Sequence, residues 1–385
     1  MGEPMTTPRE NLLGIFRHQM PEWTPVCGHC DPYNQPSREG MDAQLAKALG
    51  TVTWCGESTV LFSRALGLDI MDYRGAPVRI TQRQVSVQYQ QEGPDAIEIW
   101  QTPHGGLRQV MRRCREDGTS YFVEHLVKGV EDLKAFAAIF EDQEVAFDAP
   151  TAEAIARHSQ LIGQDGMVMC FLPGTPLGMM YRVYSGVQTL AYLYADAPQG
   201  LGELFAVMER CYQRQFELAA ASAADAFVTM DDTSTNVISP GMFEQFNMEL
   251  TDARAQACHR AGKLYFHHSC GLIRDLLTLY RATKMDAVHA FSVPPVGNVS
   301  VAEGRRKLGD RITIIASIGC MADTKWDLER VRTDVARFFT EAGAGDHFIL
   351  GLAAFPHRTM AQTRAVVEEC RKYQKRPAPP PSPRH

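Results

Sequence analysis

Residues 264–271 read Leu-Tyr-Phe-His-His-Ser-Cys-Gly, an apolar run that ends in two imidazoles, a thiol and a glycine. This pattern predicts a buried strand with a polar end, followed by a helix over residues 272–280. Successive side chains of a strand point to opposite sides, so His268 and Cys270 share one side. Neutral imidazole and thiolate are both zinc ligands. The pair is therefore half of a candidate zinc site, with a buried histidine beside a buried thiol as the structural alternative.

A second strand, over residues 226–230, runs into two carboxylates, Asp231 and Asp232. Carboxylates are costly to bury without a partner, so they are expected at the rim of the fold or near a cation. Neighbours on a strand point in opposite directions, and we assign Asp232 to the inner side. Asp232 is the candidate catalytic residue, either orienting the substrate or acting as an acid or base.

Two further stretches follow predicted strands. Residues 24–34 carry Cys27, His29, Cys30 and Asp31 to the end of a short strand. Their Cys-x-x-Cys could serve metal or redox chemistry, but no second such pair accompanies it, and a plain barrel strand with a polar end is the alternative. Residues 179–184 are rich in methionine and aromatic residues, which suits either a pocket wall or core packing. From these stretches, His29, Asp31 and Tyr181 join Asp232 as candidate substrate-binding residues.

Strands and helices alternate along most of the chain, which begins with a capped helix over residues 7–17. The alternation predicts an α/β protein, a single (β/α)8 TIM barrel whose functional groups gather at the carboxyl ends of the strands. Residues 78–125 instead show a period of two broken by turn signals, which predicts an inserted antiparallel β unit. The predicted barrel strands lie at residues 25–27, 52–55, 167–172, 226–230, 264–267, 287–291, 312–317 and 347–351.

The composition excludes several classes of protein. The 385 residues are 45% hydrophobic and 22% charged with a net charge of −6, and they contain no basic run, so neither nucleic acid nor a membrane surface is an expected partner. No apolar run approaches the roughly 20 residues that cross a membrane. Ten scattered cysteines and no recognisable signal peptide favour a reducing cytoplasm. One domain over residues 1–375 and a disordered proline-rich tail over residues 376–385 are expected.

A series of short motifs follows one order along the chain: the Thr-Pro-Arg-Glu opening, residues 100–107, 230–233, 238–240, 268–271, 285–287, 294–295 and 309–311. This series resembles the uroporphyrinogen decarboxylase superfamily, most closely its corrinoid-dependent methyltransferase-like branch. The resemblance covers nearly the whole chain except the tail and implies a (β/α)8 barrel with its site at the C-terminal mouth. True decarboxylases carry an arginine-bearing segment near the N-terminus, and here residues 28–34 read Gly-His-Cys-Asp-Pro-Tyr-Asn instead, which argues against porphyrinogen as substrate.

The resemblance also implies a metal site. The methyltransferase branch binds zinc with a His-x-Cys pair, matched here by His268 and Cys270, and a later cysteine, whose position is occupied by Ala353. A third ligand must then come from another strand end, because a catalytic zinc needs three protein ligands and an open position. We expect His289 first and Cys320 second, with Asp232 as a further possibility.

The resulting hypothesis is methyl transfer between a small methylated compound, of the methyl ether or methylamine type, and a corrinoid (cobalamin) carried by a partner protein. Zinc would act as a Lewis acid on the heteroatom that loses the methyl group, and the inserted β unit could dock the partner. One alternative is a metal-free decarboxylase or other lyase of the same superfamily, with Arg182 and Arg358 as candidates to hold a carboxylate. Another is a non-catalytic barrel that binds a corrinoid or a small ligand.

Overall fold

The alternation of strands and helices forms a nearly closed barrel. The computed structural model describes residues 6–28, 57–114, 120–319, 326–343, 345–352 and 359–374. Within them, eight parallel strands form one sheet. The strands are β1 Val26–Cys27, β2 Ile70–Gly75, β9 Gly166–Leu172, β10 Ala226–Met230, β11 Leu264–His268, β12 Ala287–Phe291, β13 Thr313–Ile318 and β14 Phe348–Leu352. Their order in the sheet is β1-β14-β13-β12-β11-β10-β9-β2, which confirms the predicted TIM barrel.

The ring closes between β1 and the start of β2. Cys27 and Asp69 form a parallel bridge, and the amide of Asp69 donates to the carbonyl of Val26 at 2.9 Å. The buried carboxylate of Asp69 in turn accepts from the amide of Val26 at 3.0 Å and from the indole of Trp23 at 3.2 Å. Hydrogen bonds to a charged acceptor are stronger than neutral ones, so one buried side chain holds the seam together.

Helices cover the outside of the barrel. No helix in the described part of the chain is both long enough and apolar enough to cross a membrane. The helices are α1 Pro8–Phe16, α2 Glu57–Leu66, α3 Leu133–Glu141, α4 Ala149–Ile162, α5 Pro176–Met179, α6 Gly186–Asp196, α7 Pro198–Ala219, α8 Pro240–Phe246, α9 Met248–Arg260, α10 Leu277–Ala282, α11 Val301–Leu308, α12 Leu328–Ala342 and α13 Met360–Tyr373.

The first helix closes the lower end of the barrel. The side chain of Thr7 caps α1 by accepting a hydrogen bond from the amide of Glu10, and the side chain of Glu10 accepts one from the amide of Thr7. This capping box satisfies two backbone amides at the start of the helix. Leu12, Ile15 and Phe16 then join the cluster of side chains inside the barrel, and the ring of Phe16 stacks on that of Phe266 at 5.0 Å. With the lower end filled, the barrel interior is open toward the carboxyl ends of the strands.

The eighth strand does not lie where the sequence placed it. Residues 52–55 fall outside the described residues, and the position beside β9 is taken by Ile70–Gly75. The pattern of residues 59–72 predicts one helix that continues to Asp72, and this prediction is wrong. Gly67 adopts a positive φ of 69°, which ends α2 at Leu66 and lets the chain turn into the strand.

The expected helix over residues 272–280 is also shorter, since α10 spans Leu277–Ala282. The backbone of the preceding residues bonds elsewhere: the amide of Leu272 donates to Ser234 Oγ at 2.8 Å, and the amide of Arg274 donates to Asn298 Oδ1 at 3.0 Å. These contacts replace the first turn of a helix.

The inserted antiparallel unit is confirmed. Four strands pair in chain order, β4 Ser86–Glu92, β5 Asp95–Thr102, β6 Gly105–Arg113 and β7 Ser120–Glu124, while β3 Val78–Thr81 pairs with β8 Glu144–Phe147. Beyond β7, His125 Nδ1 lies 2.9 Å from the carbonyl of Val183, and the amide of Val127 donates to Tyr184 at 2.8 Å. The insertion is thus tied to residues 180–184, a short π-helix beside the barrel mouth.

Gly166, the first residue of β9, is expected to tolerate no side chain. A Cβ there would lie 1.9 Å from the carbonyl oxygen of Ile70, on the backbone of the paired strand. Gly166→Ala should therefore lower the free energy of unfolding by about 1–3 kcal/mol, as overpacked sites do. Gly202→Ala, in α7 with nothing within 4 Å, is the matched control and should stabilise by about 1 kcal/mol. Urea unfolding checks both, and equal stability of the two variants would contradict the prediction.

Candidate metal centre

Three adjacent strands bring the candidate residues to the barrel mouth. Met230 at the end of β10 pairs with His268 on β11, and His268 pairs with His289 on β12. Past the strand ends, the amide of Asp232 donates to the carbonyl of His268 at 3.0 Å, and the amide of Ser269 donates to that of His289 at 2.9 Å. Parallel register therefore places Asp232, His268 and His289 at one level of the barrel.

Asp232, His268 and Cys270 form the candidate metal centre. His268 Nε2 lies 2.8 Å from Asp232 Oδ1, and Cys270 Sγ donates to the same oxygen at 3.3 Å. One nitrogen, one sulfur and one oxygen donor all lie within 4.8 Å of one another, and among the described residues these three form a group that could hold a metal ion. The donor set suits zinc, which accepts all three ligand types and keeps a fourth position open in catalytic sites.

The backbone at Asp232 makes this arrangement possible. Its φ is +50°, a left-handed conformation that aspartate tolerates better than most residues. The turn brings Asp232 against His268 and Cys270 in the mouth, as expected, while Asp231 is fully buried on the outer side of the sheet. The predicted alternation of β11 is also confirmed, because His267 and Ser269 are buried against Thr233 on that outer side.

Arg182 holds the other carboxylate oxygen. Its Nε lies 2.5 Å from Asp232 Oδ2, and another guanidinium nitrogen donates to the carbonyl of Met230. Burial by itself would raise the pKa of Asp232, but the hydrogen bond and charge of His268 and the charge of Arg182 outweigh it and bring the pKa to about 2. Asp232 is therefore an anion at neutral pH, with one oxygen held by Arg182 and one turned to His268 and Cys270.

His289, the residue expected as third ligand, lies behind His268. Its Nδ1 is 2.8 Å from His268 Nδ1, and its Nε2 is 2.5 Å from the hydroxyl of Tyr73. Its two ring nitrogens thus contact His268 and Tyr73, whereas Asp232 contacts His268 and Cys270. The structure brings Asp232 into the three-residue group and places His289 next to it.

A buried network supports the mouth from the outer side. The amide and hydroxyl of Thr175 donate to Asp231 Oδ1 at 2.6 and 2.8 Å, and the hydroxyl of Tyr181 donates to the Asp231 carbonyl. Burial opposes ionisation of Asp231, but the charges of His267 and Arg254 and the donation from Thr175 hold its pKa below the usual value. Burial lowers the pKa of the neighbouring His267. The network fixes the chain on both sides of Asp232.

A cavity of about 210 Å³ opens in front of the metal centre, and we call it the mouth cavity. His268, Cys270 and His289 line this cavity. Cys27 from β1 lines it as well, so the first strand contributes to the same cavity as His268 and Cys270. The cavity has room for a small molecule next to His268 and Cys270. The remaining lining residues are Gly28, Met71, Tyr73, Ala290, Ser292, Ile315, Ser317, Gly351 and Leu352.

Four other residues named from the sequence lie outside the described part of the chain, and a fifth, Tyr181, is buried. His29, Asp31, Cys320 and Ala353 lie outside the described residues. Tyr181 is 6% exposed and bonded to the Asp231 backbone, and burial raises its pKa well above the usual value. Sequence reasoning missed Tyr73 altogether. The alternation of Met71, Tyr73 and Gly75 after Gly67 was the available signal, and it was overlooked because this segment was read as helix.

The contact between Arg182 and Asp232 predicts a pH-dependent change in stability. Because the folded pKa of Asp232 is about 2, below the unfolded value of about 3.9, its carboxylate stabilises the fold above pH 4 and this is lost as the pH falls toward 2. In metal-free Arg182→Met, that pKa should rise, costing about 1–2 kcal/mol at pH 6.

The measurement is urea unfolding of wild type and Arg182→Met at pH 6 and pH 3. The difference between the two proteins is expected to shrink at the lower pH, because pH 3 lies between the folded and the unfolded pKa of Asp232 and part of the stabilisation by its carboxylate is already lost there. Arg214→Met, which removes an exposed arginine of α7, should show a small difference at either pH. A difference that stays the same at pH 3 would mean that Arg182 acts only through its contact with Met230.

Comparisons with known proteins give a family and a fold. The family model described as Uroporphyrinogen decarboxylase (URO-D) matches residues 112–373, more than half of the chain. No curated protein matches at a significant level. A methyltransferase from Methanosarcina mazei is similar in structure, with a TM-score of 0.61 and 12% identity over 96% of this chain and 99% of that one. A B12-independent methionine synthase from Shewanella sp. W3-18-1 gives a TM-score of 0.49 and 10% identity, over 92% and 97%.

Proposed function

Because the chain belongs to the uroporphyrinogen decarboxylase family, we propose that it is a methyltransferase that moves a methyl group between a small methylated compound and a corrinoid protein, assisted by zinc. The observation that carries the proposal is the convergence of Asp232, His268 and Cys270 at the barrel mouth. A methyltransferase with the same fold over nearly the whole chain adds support for the reaction class.

The residues in place fit zinc. Asp232 Oδ1, His268 Nε2 and Cys270 Sγ would hold the ion, with the carboxylate taking the place of the cysteine that Ala353 replaces. Bound there, zinc supplies a Lewis acid for the oxygen or nitrogen that gives up the methyl group. Arg182 keeps the carboxylate ionised and leaves one oxygen for the metal.

The mouth cavity suits a small methylated substrate. Its volume is about 210 Å³, and the side chains of Met71, Ile315 and Leu352 give it an apolar lining. Apolar walls with a few convergent polar groups are typical of small-molecule sites. The substrate heteroatom would face the donors, and its methyl group would face the opening, where a methyl acceptor can approach.

The corrinoid would be carried by a partner protein that docks beside this opening. The inserted sheet is the proposed docking element, because its last segment contacts the chain next to Arg182 through His125 and Val127. Cys114, Cys170, Cys211, Cys258 and Cys370 are free thiols, which supports a reducing cytoplasm as the place of reaction.

The geometry gives less support to decarboxylation. A decarboxylase needs a cation for the substrate carboxylate, and Arg182 already binds Asp232 and the carbonyl of Met230. The other arginine considered, Arg358, lies outside the described residues.

Metal content and methyl transfer test the proposal together. Protein purified without a metal-affinity tag is expected to contain about one zinc per chain, as a site with three protein ligands does. With reduced cobalamin as the probe, methyl ethers and methylamines are then supplied one at a time, and methylation is followed by the loss of the cob(I)alamin absorbance. A transfer reaction breaks the bond from carbon to the heteroatom and forms one from carbon to cobalt.

Two results would count against the proposal. Protein that stays empty when zinc is supplied would rule out the metal-assisted reaction. The second result is zinc-loaded protein that binds cobalamin and yet fails to methylate it when any of the methyl ethers or methylamines is supplied. That result would favour a binding barrel over a methyltransferase of this class.

A further inference from the structure

His289 and Tyr73 lie beside the candidate metal centre and have no role in the reaction described so far. The two residues come from opposite sides of the barrel, since β12 and β2 are four strands apart in the ring. Both side chains are 3% exposed, and the hydroxyl of Tyr73 reaches His289 Nε2 at 2.5 Å. The ring of Tyr73 also stacks on Phe171 at 4.7 Å with an interplanar angle of 8°. The contact is therefore built from rigid, well-packed groups.

The contact between the two imidazoles is directional. His268 Nδ1 and His289 Nδ1 are 2.8 Å apart, so one nitrogen must donate a proton and the other accept it. If His268 Nε2 binds a metal ion, it carries no proton, and the neutral ring must carry its proton on Nδ1. His268 then donates to His289 Nδ1. As a consequence, neutral His289 carries its own proton on Nε2 and donates it to the oxygen of Tyr73.

We propose that His289 and Tyr73 are positioning residues that orient His268 and select the tautomer in which Nε2 is the metal-binding nitrogen. This inference rests on the proposed zinc site and adds to it. The hydrogen-bond chain runs from His268 Nδ1 to His289 and from His289 Nε2 to Tyr73, across the full width of the barrel. His289 acts through His268 and is not itself a ligand.

Side chains that orient a ligating histidine contribute strongly to metal binding. Removing such a partner typically weakens affinity about 10- to 100-fold, because the ring is then free to rotate and to place its proton on the wrong nitrogen. Tyr73 lies one step further away and its loss costs one buried hydrogen bond, about a fivefold effect. The two effects should not add, since the hydrogen-bond chain from Tyr73 to His268 runs through His289.

The test measures the zinc dissociation constant of the full-length protein by competition with a chromophoric chelator. His289→Leu is expected to weaken zinc binding about 10- to 100-fold. His289→Asn, whose side-chain oxygen can accept from His268 Nδ1, should restore most of the lost affinity. Tyr73→Phe should weaken binding about fivefold in the wild type and should have no further effect in the His289→Leu background.

Matched controls and a second readout separate positioning from general damage. His104→Leu and Tyr192→Phe change the same residue types at exposed places that do not line the mouth cavity and should leave zinc affinity unchanged. Thermal unfolding of the metal-free proteins reports any loss of fold. Cobalt-substituted protein gives a thiolate charge-transfer band from Cys270, which should persist in His289→Leu at saturating cobalt, because the ligands themselves remain.

The outcomes are distinguishable. Wild type that binds no zinc overturns the proposed function and this inference with it. Wild type that binds zinc while His289→Leu binds it equally well overturns the inference alone. If His289→Leu does not fold, the zinc affinities of His289→Asn and Tyr73→Phe decide. The inference is wrong if Tyr73→Phe has wild-type affinity. It is also wrong if His289→Asn binds zinc far more weakly than Tyr73→Phe does.

Discussion

The double variant His268→Ala, Cys270→Ala is expected to contain no zinc and to lose methyl transfer by about 1000-fold or more. It removes two of the three donors at the barrel mouth and leaves Asp232 alone. A single carboxylate does not hold zinc, which needs three protein ligands at a catalytic site. Without the ion, the leaving heteroatom also loses its electrostatic stabilisation, and losing one such group commonly costs a factor of about 100 to 1000.

Elemental analysis and the cob(I)alamin assay check this prediction. The matched control is His104→Ala, Cys114→Ser, which changes one histidine and one cysteine of the inserted sheet and should keep both zinc and activity. A single change, Asp232→Asn, tests the third donor. It keeps the size of the side chain but removes its charge, so zinc should bind more weakly than in wild type. Full zinc content in the double variant would place the metal elsewhere.

Arg254→Met is expected to lower the free energy of unfolding by about 3–5 kcal/mol. Arg254 is fully buried in α9, pairs with Glu209 at 2.7 Å, and donates to the carbonyls of Pro173 and Gly174 at 3.3 and 3.2 Å. Removing the guanidinium leaves a largely buried carboxylate and two carbonyls without their partner. The loss should be felt at the site as well, because residues 173–175 contact Asp231 and so brace the turn that carries Asp232.

Chemical denaturation measures this effect, and a second change isolates its cause. Arg254→Met, Glu209→Met removes both charges and should recover part of the stability, since no carboxylate is then left unpaired. Arg210→Met, on the exposed side of the same region, should change stability by less than about 0.5 kcal/mol. A loss of under about 1 kcal/mol for Arg254→Met would show that water replaces the guanidinium at this place.

Much of the fold follows from local patterns. The regular alternation after Glu131 predicted the barrel because each strand–helix unit carries its own signals: an apolar run, a cap and a helical stripe. The change of period at residues 78–125 predicted the antiparallel sheet for the same reason. The one misplaced strand, Ile70–Gly75, is a short segment directly after a helix, where periodicity alone does not separate helix from strand.

Local geometry also determined which side chains share a side of a strand. Alternation sufficed to separate His268 and Cys270 from His267 and Ser269, and the structure agrees, because a strand has a fixed period of two. That separation already contained the His-x-Cys half of the candidate site. The family relationship, carried by short motifs in a fixed order, was likewise readable from the chain.

The tertiary structure alone decided what surrounds that pair. Asp232 joins the His268–Cys270 pair because its left-handed backbone and the hydrogen bonds that hold the buried side chain of Asp231 place its carboxylate next to the pair. The spacing of residues along the chain indicates neither of these two features. His289 instead faces His268, and Tyr73 reaches it from the opposite wall of the barrel. Contacts between residues more than 200 positions apart depend on how the ring of strands closes. The sequence by itself therefore determined the barrel and the His268–Cys270 pair, whereas the turn at Asp232 and the closure of the barrel decided that Asp232, His289 and Tyr73 lie around that pair.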